Sequence, residues 1–123
     1  MAAVFTELVV DSRDPEALAA FWADVLGWRA VPHGDGDYWV AQHADPLGPG
    51  PVLTFVRVPE AKAGKNRLHI DVNPSGCDQA VELERLLALG ARRTDVGQGE
   101  PSWVVLADPE GNEFCLLEPR VDG

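Results

Sequence analysis

Residues two apart on a β-strand point to the same side, and His69 and Asp71 have that spacing. An imidazole titrates near neutrality, so His69 has the intrinsic chemistry of a general base, with Asp71 or Glu7 available to orient its ring. No nucleophile or second base can be identified beside it. That favours a non-catalytic role, either a hydrogen bond within the sheet or a contact to a ligand. Leu68, Ile70 and Val72 form an apolar alternation, which directs Arg67, His69 and Asp71 to the opposite face. In the first apolar run Leu8 and Val10 pair as core, leaving Glu7, Val9 and Asp11 opposite.

Other residues offer chemistry with a plainer reading beside it. The two cysteines, Cys77 and Cys115, lack metal-type close spacing, and Cys115 between Phe114 and Leu116 reads as a small core filler. Of four tryptophans, Trp22 beside Phe21 reads as core. Trp39 and Trp103 either line a binding surface or pack beneath the helices, since both faces of their strands are apolar. Flat aromatic walls with a few acids would suit a planar or cationic small molecule. Asp35, Asp37 and Asp45 read as turn residues, or else as an acidic rim that steers a basic ligand. Lys65-Asn66-Arg67 is the one basic patch, suited to a ligand carboxylate or simply solvated. No phosphate loop, dinucleotide fingerprint or Ser-His-Asp arrangement is present.

These groups must be positioned by a chain of 123 residues, enough for one domain with its own core. Ten basic against twenty acidic residues give a net charge of −10, which argues against nucleic acid and against anionic membrane surfaces. No secretory signal or membrane span is expected, and so few cysteines point to a reduced, cytoplasmic protein.

The element reading runs as strand 4–11, a helix opened by Asp14-Pro15-Glu16 and stopped by Gly27, then strands 28–32, 38–42 and 52–58. After a polar linker, 59–66, the order repeats: strand 67–72, helix 77–89 with Ala80, Leu83, Leu86 and Leu87 buried, Gly90, and strands 91–96, 102–107 and 113–118. Gly27 with Gly90, Trp39-Val40 with Trp103-Val104, Asp45-Pro46 with Asp108-Pro109, and Glu7–Val10 with His69–Val72 correspond at offsets of 62–64 residues. That is a duplicated β-α-β-β-β unit. A ferredoxin-like order would have one strand fewer between the helices.

Asp14-Pro15-Glu16-Ala17-Leu18-Ala19-Ala20-Phe21-Trp22, Leu26-Gly27, Lys65-Asn66-Arg67-Leu68-His69-Ile70-Asp71, Leu86–Ala91 and Leu106-Ala107-Asp108-Pro109-Glu110-Gly111-Asn112-Glu113-Phe114-Cys115 carry a resemblance that covers essentially the whole chain. The sequence resembles the vicinal oxygen chelate superfamily, in its glyoxalase-like and bleomycin-resistance-like branch. The resemblance implies an α+β fold of two tandem β-α-β-β-β modules, about 1–60 and 65–120, forming a curved eight-stranded mixed sheet. Its cup would hold a ligand or a metal, and the protein would be a homodimer.

In metal-dependent members the ligands come from the first and last strands of each module. By position these are Glu7, approximately Thr54, His69 and Cys115. Thr54 is a poor neutral ligand and Cys115 a soft one, so this set departs from the usual His, Gln or Glu. A metal held by Glu7, His69 and Cys115 would suit zinc, with nickel, manganese and iron as alternatives.

The resemblance and the incomplete ligand set favour a protein that binds a small molecule without a metal, by sequestration or for resistance. Its ligand-binding residues would be Glu7, Trp39, Thr54, His69, Asp71, Trp103 and Cys115. The alternative is a divalent-metal enzyme of lyase, isomerase or dioxygenase type that uses Glu7 and His69. A scaffold without a ligand of its own is the third reading.

Overall fold

Asp14 and Asp78 each sit one residue before a helix, and each side chain accepts a hydrogen bond from the first turn, from Ala17 N at 3.2 Å and Val81 N at 3.0 Å. They satisfy amide groups that have no partner inside the helix. Helix α1 spans Pro15–Leu26 and ends at Gly27, whose φ of 68° is left-handed, where a side chain would be strained. Helix α2 spans Gln79–Leu89. The computed structural model describes residues 1–43, 50–99 and 101–122. Asp45, one of the expected rim acids, and Pro46, which with it was matched to Asp108-Pro109, lie outside the described residues.

The chain divides into two compact units, Met1–Ala61 and Lys62–Gly123. In the first, β1 (Glu7–Ser12), β2 (Arg29–His33), β3 (Asp37–Ala41) and β4 (Val52–Arg57) form a sheet of order β1-β4-β3-β2. β1 and β4 run parallel and the other pairs antiparallel. In the second, β5 (Ile70–Val72), β6 (Arg92–Arg93), β7 (Val104–Ala107) and β8 (Glu113–Leu116) repeat the order as β5-β8-β7-β6, with β5 and β8 parallel. Among the described residues, eight strands and two helices thus make two tandem β-α-β-β-β modules, each with its own four-stranded mixed sheet.

In the first module α1 packs across β2, β3 and β4, burying Leu18, Phe21, Trp22 and Val25. Val40 and Phe55, on one face of the sheet, have no exposed surface, whereas Glu7, Val9 and Asp11 on the other are exposed. In the second module Leu86, Leu106, Phe114 and Leu116 are buried, and the Gln79 amide donates to the Leu116 and Ser102 carbonyls. Asp108 explains the Asp-Pro-Glu-Gly-Asn signature. Its fully buried side chain accepts from the Glu110 and Asn112 backbones at 2.9 and 3.0 Å, while Gly111 turns the chain at φ 91°.

Several expected bounds shift. Arg67, Leu68 and His69 precede β5 rather than belonging to it, and Leu68 is 77% exposed instead of core. The Glu113 carboxylate accepts from the Asn66 backbone and pairs with Lys62, which ties the linker to the start of β8. β6 has only two residues, because Asp95 accepts from Gly97 N and Gln98 from Val96 N, turning the chain out of the sheet. On α2, Leu86 and Glu82 are buried, whereas Ala80 and Leu87 are exposed. Glu82 is held there by two bonds from Arg85, at 2.7 and 2.9 Å.

Candidate functional site

In the first module, strand pairing fixes which side chains share a face. Val9 lies opposite Thr54, Thr54 opposite Trp39, and Trp39 opposite Val31. Glu7, two residues before Val9, shares that face. Glu7, Trp39 and Thr54 are therefore brought onto the surface opposite Val40 and Phe55. Glu7 is exposed and Trp39 half-buried. Thr54 is 5% exposed, and its Oγ1 is buried with no hydrogen-bond partner among the described residues. Buried hydroxyls are nearly always paired, so this one is unusual.

His33 falls just past the strand expected over 28–32. It ends β2 instead, opposite Asp37, and its ring stacks on Trp39 with centroids 3.9 Å apart and planes 19° from parallel. The signal was its place two residues after Val31, on the same face as Trp39. Asp37 is no free rim acid, because it accepts from the Arg57 backbone at 2.9 Å. Asp35 is exposed in the turn.

In the second module the parallel ladder sets Asp71 beside Cys115. His69 Nε2 lies 3.1 Å from Asp71 Oδ1, and both side chains are about half exposed, 50% and 47%. One donor atom each from His69, Asp71 and Cys115 falls within 4.8 Å of the other two. Burial pushes the Cys115 thiol up, as do the charge of Asp71 and the hydrogen bond to it, while Lys65 acts the other way. Lys65 is exposed and donates to the Asn66 carbonyl at 3.2 Å. Trp103 lies just before β7 and is 43% exposed.

The ladders also settle which residues correspond between modules. Thr54 lies beside Val9 as Cys115 lies beside Asp71, so Thr54 and Cys115 hold equivalent places. Trp39 faces Thr54, and Val105 faces Cys115. Val105 is thus the counterpart of Trp39, and Trp103 lies two residues earlier. The matching tryptophans of the sequence repeat are not structural equivalents.

Residues 7–117 match the family described as the glyoxalase-like domain. The chain belongs to the glyoxalase-like family. With it the protein joins the vicinal oxygen chelate superfamily. No curated protein matches this glyoxalase-like chain. Among solved structures, it is similar to the fosfomycin resistance protein FosX from Mesorhizobium loti, at 16% identity and TM-score 0.67, with 95% of this chain and 92% of that one covered. A mutant of the genomically encoded FosX from Listeria monocytogenes, complexed with Mn(II) and 1S,2S-dihydroxypropylphosphonic acid, matches at 15% identity and TM-score 0.66, covering 95% and 90%. A glyoxalase/bleomycin resistance protein/dioxygenase family enzyme from Burkholderia phytofirmans PsJN matches at 16% identity and TM-score 0.64, covering 93% and 97%. Likeness at these identities establishes the shared fold and leaves the reaction to the site.

The donor chemistry of this glyoxalase-like chain does not fit a manganese-type ion. Hard divalent cations take carboxylate, carbonyl and water oxygens, with imidazole tolerated. Thr54 offers a neutral hydroxyl, and Cys115 a soft sulfur whose proton is held on by burial and by Asp71.

Proposed function

We propose that this glyoxalase-like chain binds a small organic molecule on the face of its first sheet that carries Glu7, Trp39 and Thr54, without a hard divalent ion. The observation that carries this reading is the face that half-buried Trp39, with His33 stacked on it, shares with exposed Glu7. The Thr54 hydroxyl beneath is unpartnered among the described residues, at a cost of about 1–3 kcal/mol, which a polar atom of a bound molecule would offset once the side chains covering it move aside. Trp39 adds a flat wall and Glu7 an exposed carboxylate, which suit a planar or cationic ligand. The net charge of −10 would attract a cation at long range. His69, Asp71, Trp103 and Cys115 are the second module's candidates for ligand contact. A sequestering or resistance role follows by analogy with the fold's resistance proteins.

The second reading is a divalent-metal lyase, isomerase or dioxygenase using Glu7 and His69. The pairing of His69 with Asp71 favours it, because a carboxylate-oriented imidazole is a competent base. A homodimer and a cytoplasmic setting complete the proposal, the latter in keeping with two free cysteines. No helix among the described residues is long and apolar enough to cross a membrane.

The test is a screen of planar and cationic compounds by tryptophan fluorescence on wild type, Trp39→Leu and Thr54→Val. Saturable quenching that both substitutions weaken supports the proposal. Binding that neither substitution alters would overturn it.

A further inference from the structure

We infer that His33 is an autoinhibitory cover of the first module's binding face: its imidazole stands where a planar ligand would stack on Trp39, and such a ligand enters by exchanging one ring for another. Given the small-molecule reading proposed for this face, on which this rests, His33 is the residue that sets its affinity. Val31 lies opposite Trp39, so His33, two residues on, is the diagonal neighbour of Trp39 on the same face, within reach of an aromatic side chain. The two rings are 19° from parallel with centroids 3.9 Å apart. Rings in contact at about 3.5 Å can then be offset by only about 1.7 Å, so the imidazole lies over the indole and not at its edge. One face of Trp39 is therefore taken by a flat nitrogen heterocycle of the chain itself.

The cover is placed where it can leave. β2 is an edge strand, and His33 with Asp37 is the last pair of its hairpin, where local opening costs least. His33 is exposed, whereas Trp39 is half-buried. The Asp37 carboxylate opposite is engaged by the Arg57 backbone. Beside His33, no atom among the described residues lies within 4 Å of where a side chain on Gly34 would begin, which leaves the imidazole room to swing out. The stacking preference of an aromatic pair keeps such a cover closed about 70–90% of the time. That lowers the apparent affinity of every ligand for the face by the same factor, about threefold to tenfold. A flat ring restores the stack it breaks, while a compact cation restores little of it.

The test measures binding of N-methylquinolinium and of tetramethylammonium to the full chain by calorimetry, and acrylamide quenching of tryptophan fluorescence without either cation. His33→Ala should tighten both cations by the same factor, about threefold to tenfold. His33→Phe, which keeps a stacked ring, should leave them at or below the wild-type affinity. In a Trp39→Leu background His33→Ala should bring no gain. Without a cation, His33→Ala should open the tryptophan emission further to acrylamide, and that increase should be absent from the Trp39→Leu background. Wild-type binding of N-methylquinolinium that His33→Ala leaves equal or weakens would overturn the cover, while the small-molecule reading stands. An acrylamide response that His33→Ala leaves unchanged would overturn it irrespective of any ligand. Binding of neither cation by wild type or by His33→Ala would overturn both the cover and the reading it rests on.

Discussion

Replacing Thr54 with valine should stabilise the ligand-free protein, the opposite of what such a change does at an ordinary buried threonine. Valine keeps the β-branched shape and strand preference, so the exchange is one hydroxyl for one methyl. Thr54 is 5% exposed and its Oγ1 has no partner among the described residues, so the hydroxyl lost its water without gaining a bond. Removing that unsatisfied group recovers about 1–3 kcal/mol. A buried methyl adds up to about 0.8 kcal/mol, less whatever strain its slightly larger volume brings. A net gain of about 1–2 kcal/mol follows, which is a rise in Tm of about 3–10 °C for a chain of this size. Urea unfolding followed by tryptophan fluorescence measures it, with the midpoint raised and the slope unchanged. A loss of about 1 kcal/mol would mean that the hydroxyl is bonded after all and would refute the reasoning.

Three further outcomes follow from the same geometry. Phe55, fully buried, should cost about 3–5 kcal/mol on replacement by alanine, read as a lower urea midpoint. Asp108→Ala leaves the Glu110 and Asn112 amides without their acceptor and should cost about 2–4 kcal/mol, with Asp108→Asn recovering part of it. For Glu113, burial alone would raise the carboxyl, but bonds from its own backbone and from Asn66, together with Lys62, leave it below the ordinary value of 4.5. A depressed folded value means that its contribution is present above 4.5 and fades as the pH falls through the lower folded value. Glu113→Gln should therefore flatten the acid limb of the stability profile below that pH, and an unchanged acid limb would remove Glu113 as its cause.

Much of this architecture was legible in the residues because local signals carried it. Asp14-Pro15 and Gly27 bound α1 by capping alone, and the order of strands followed from apolar runs between turn residues. Long-range pairing was not legible. Only the ladder shows that Thr54 lies beside Val9 and faces Trp39, or that Val105 rather than Trp103 answers to Trp39. Leu68 looked like core because alternation with Ile70 and Val72 placed it there. The tie from Glu113 to Asn66 starts the strand later, a contact across 47 residues that no local pattern encodes. Asp37 looked like a free acid for the same reason, since its acceptor role depends on Arg57 twenty residues on. His69 with Asp71 was visible from spacing, whereas the approach of Cys115 to both needed the parallel pairing of β5 with β8.

The most direct test of the central claim is the metal content of untagged protein equilibrated with equal manganese and zinc and then desalted, alongside Glu7→Ala and His69→Ala. The account predicts no manganese in any of the three proteins, because Thr54 and Cys115 do not make a hard-ion site. Stoichiometric manganese in the wild type, lost from both variants, would contradict it and establish the metal-enzyme reading in its place.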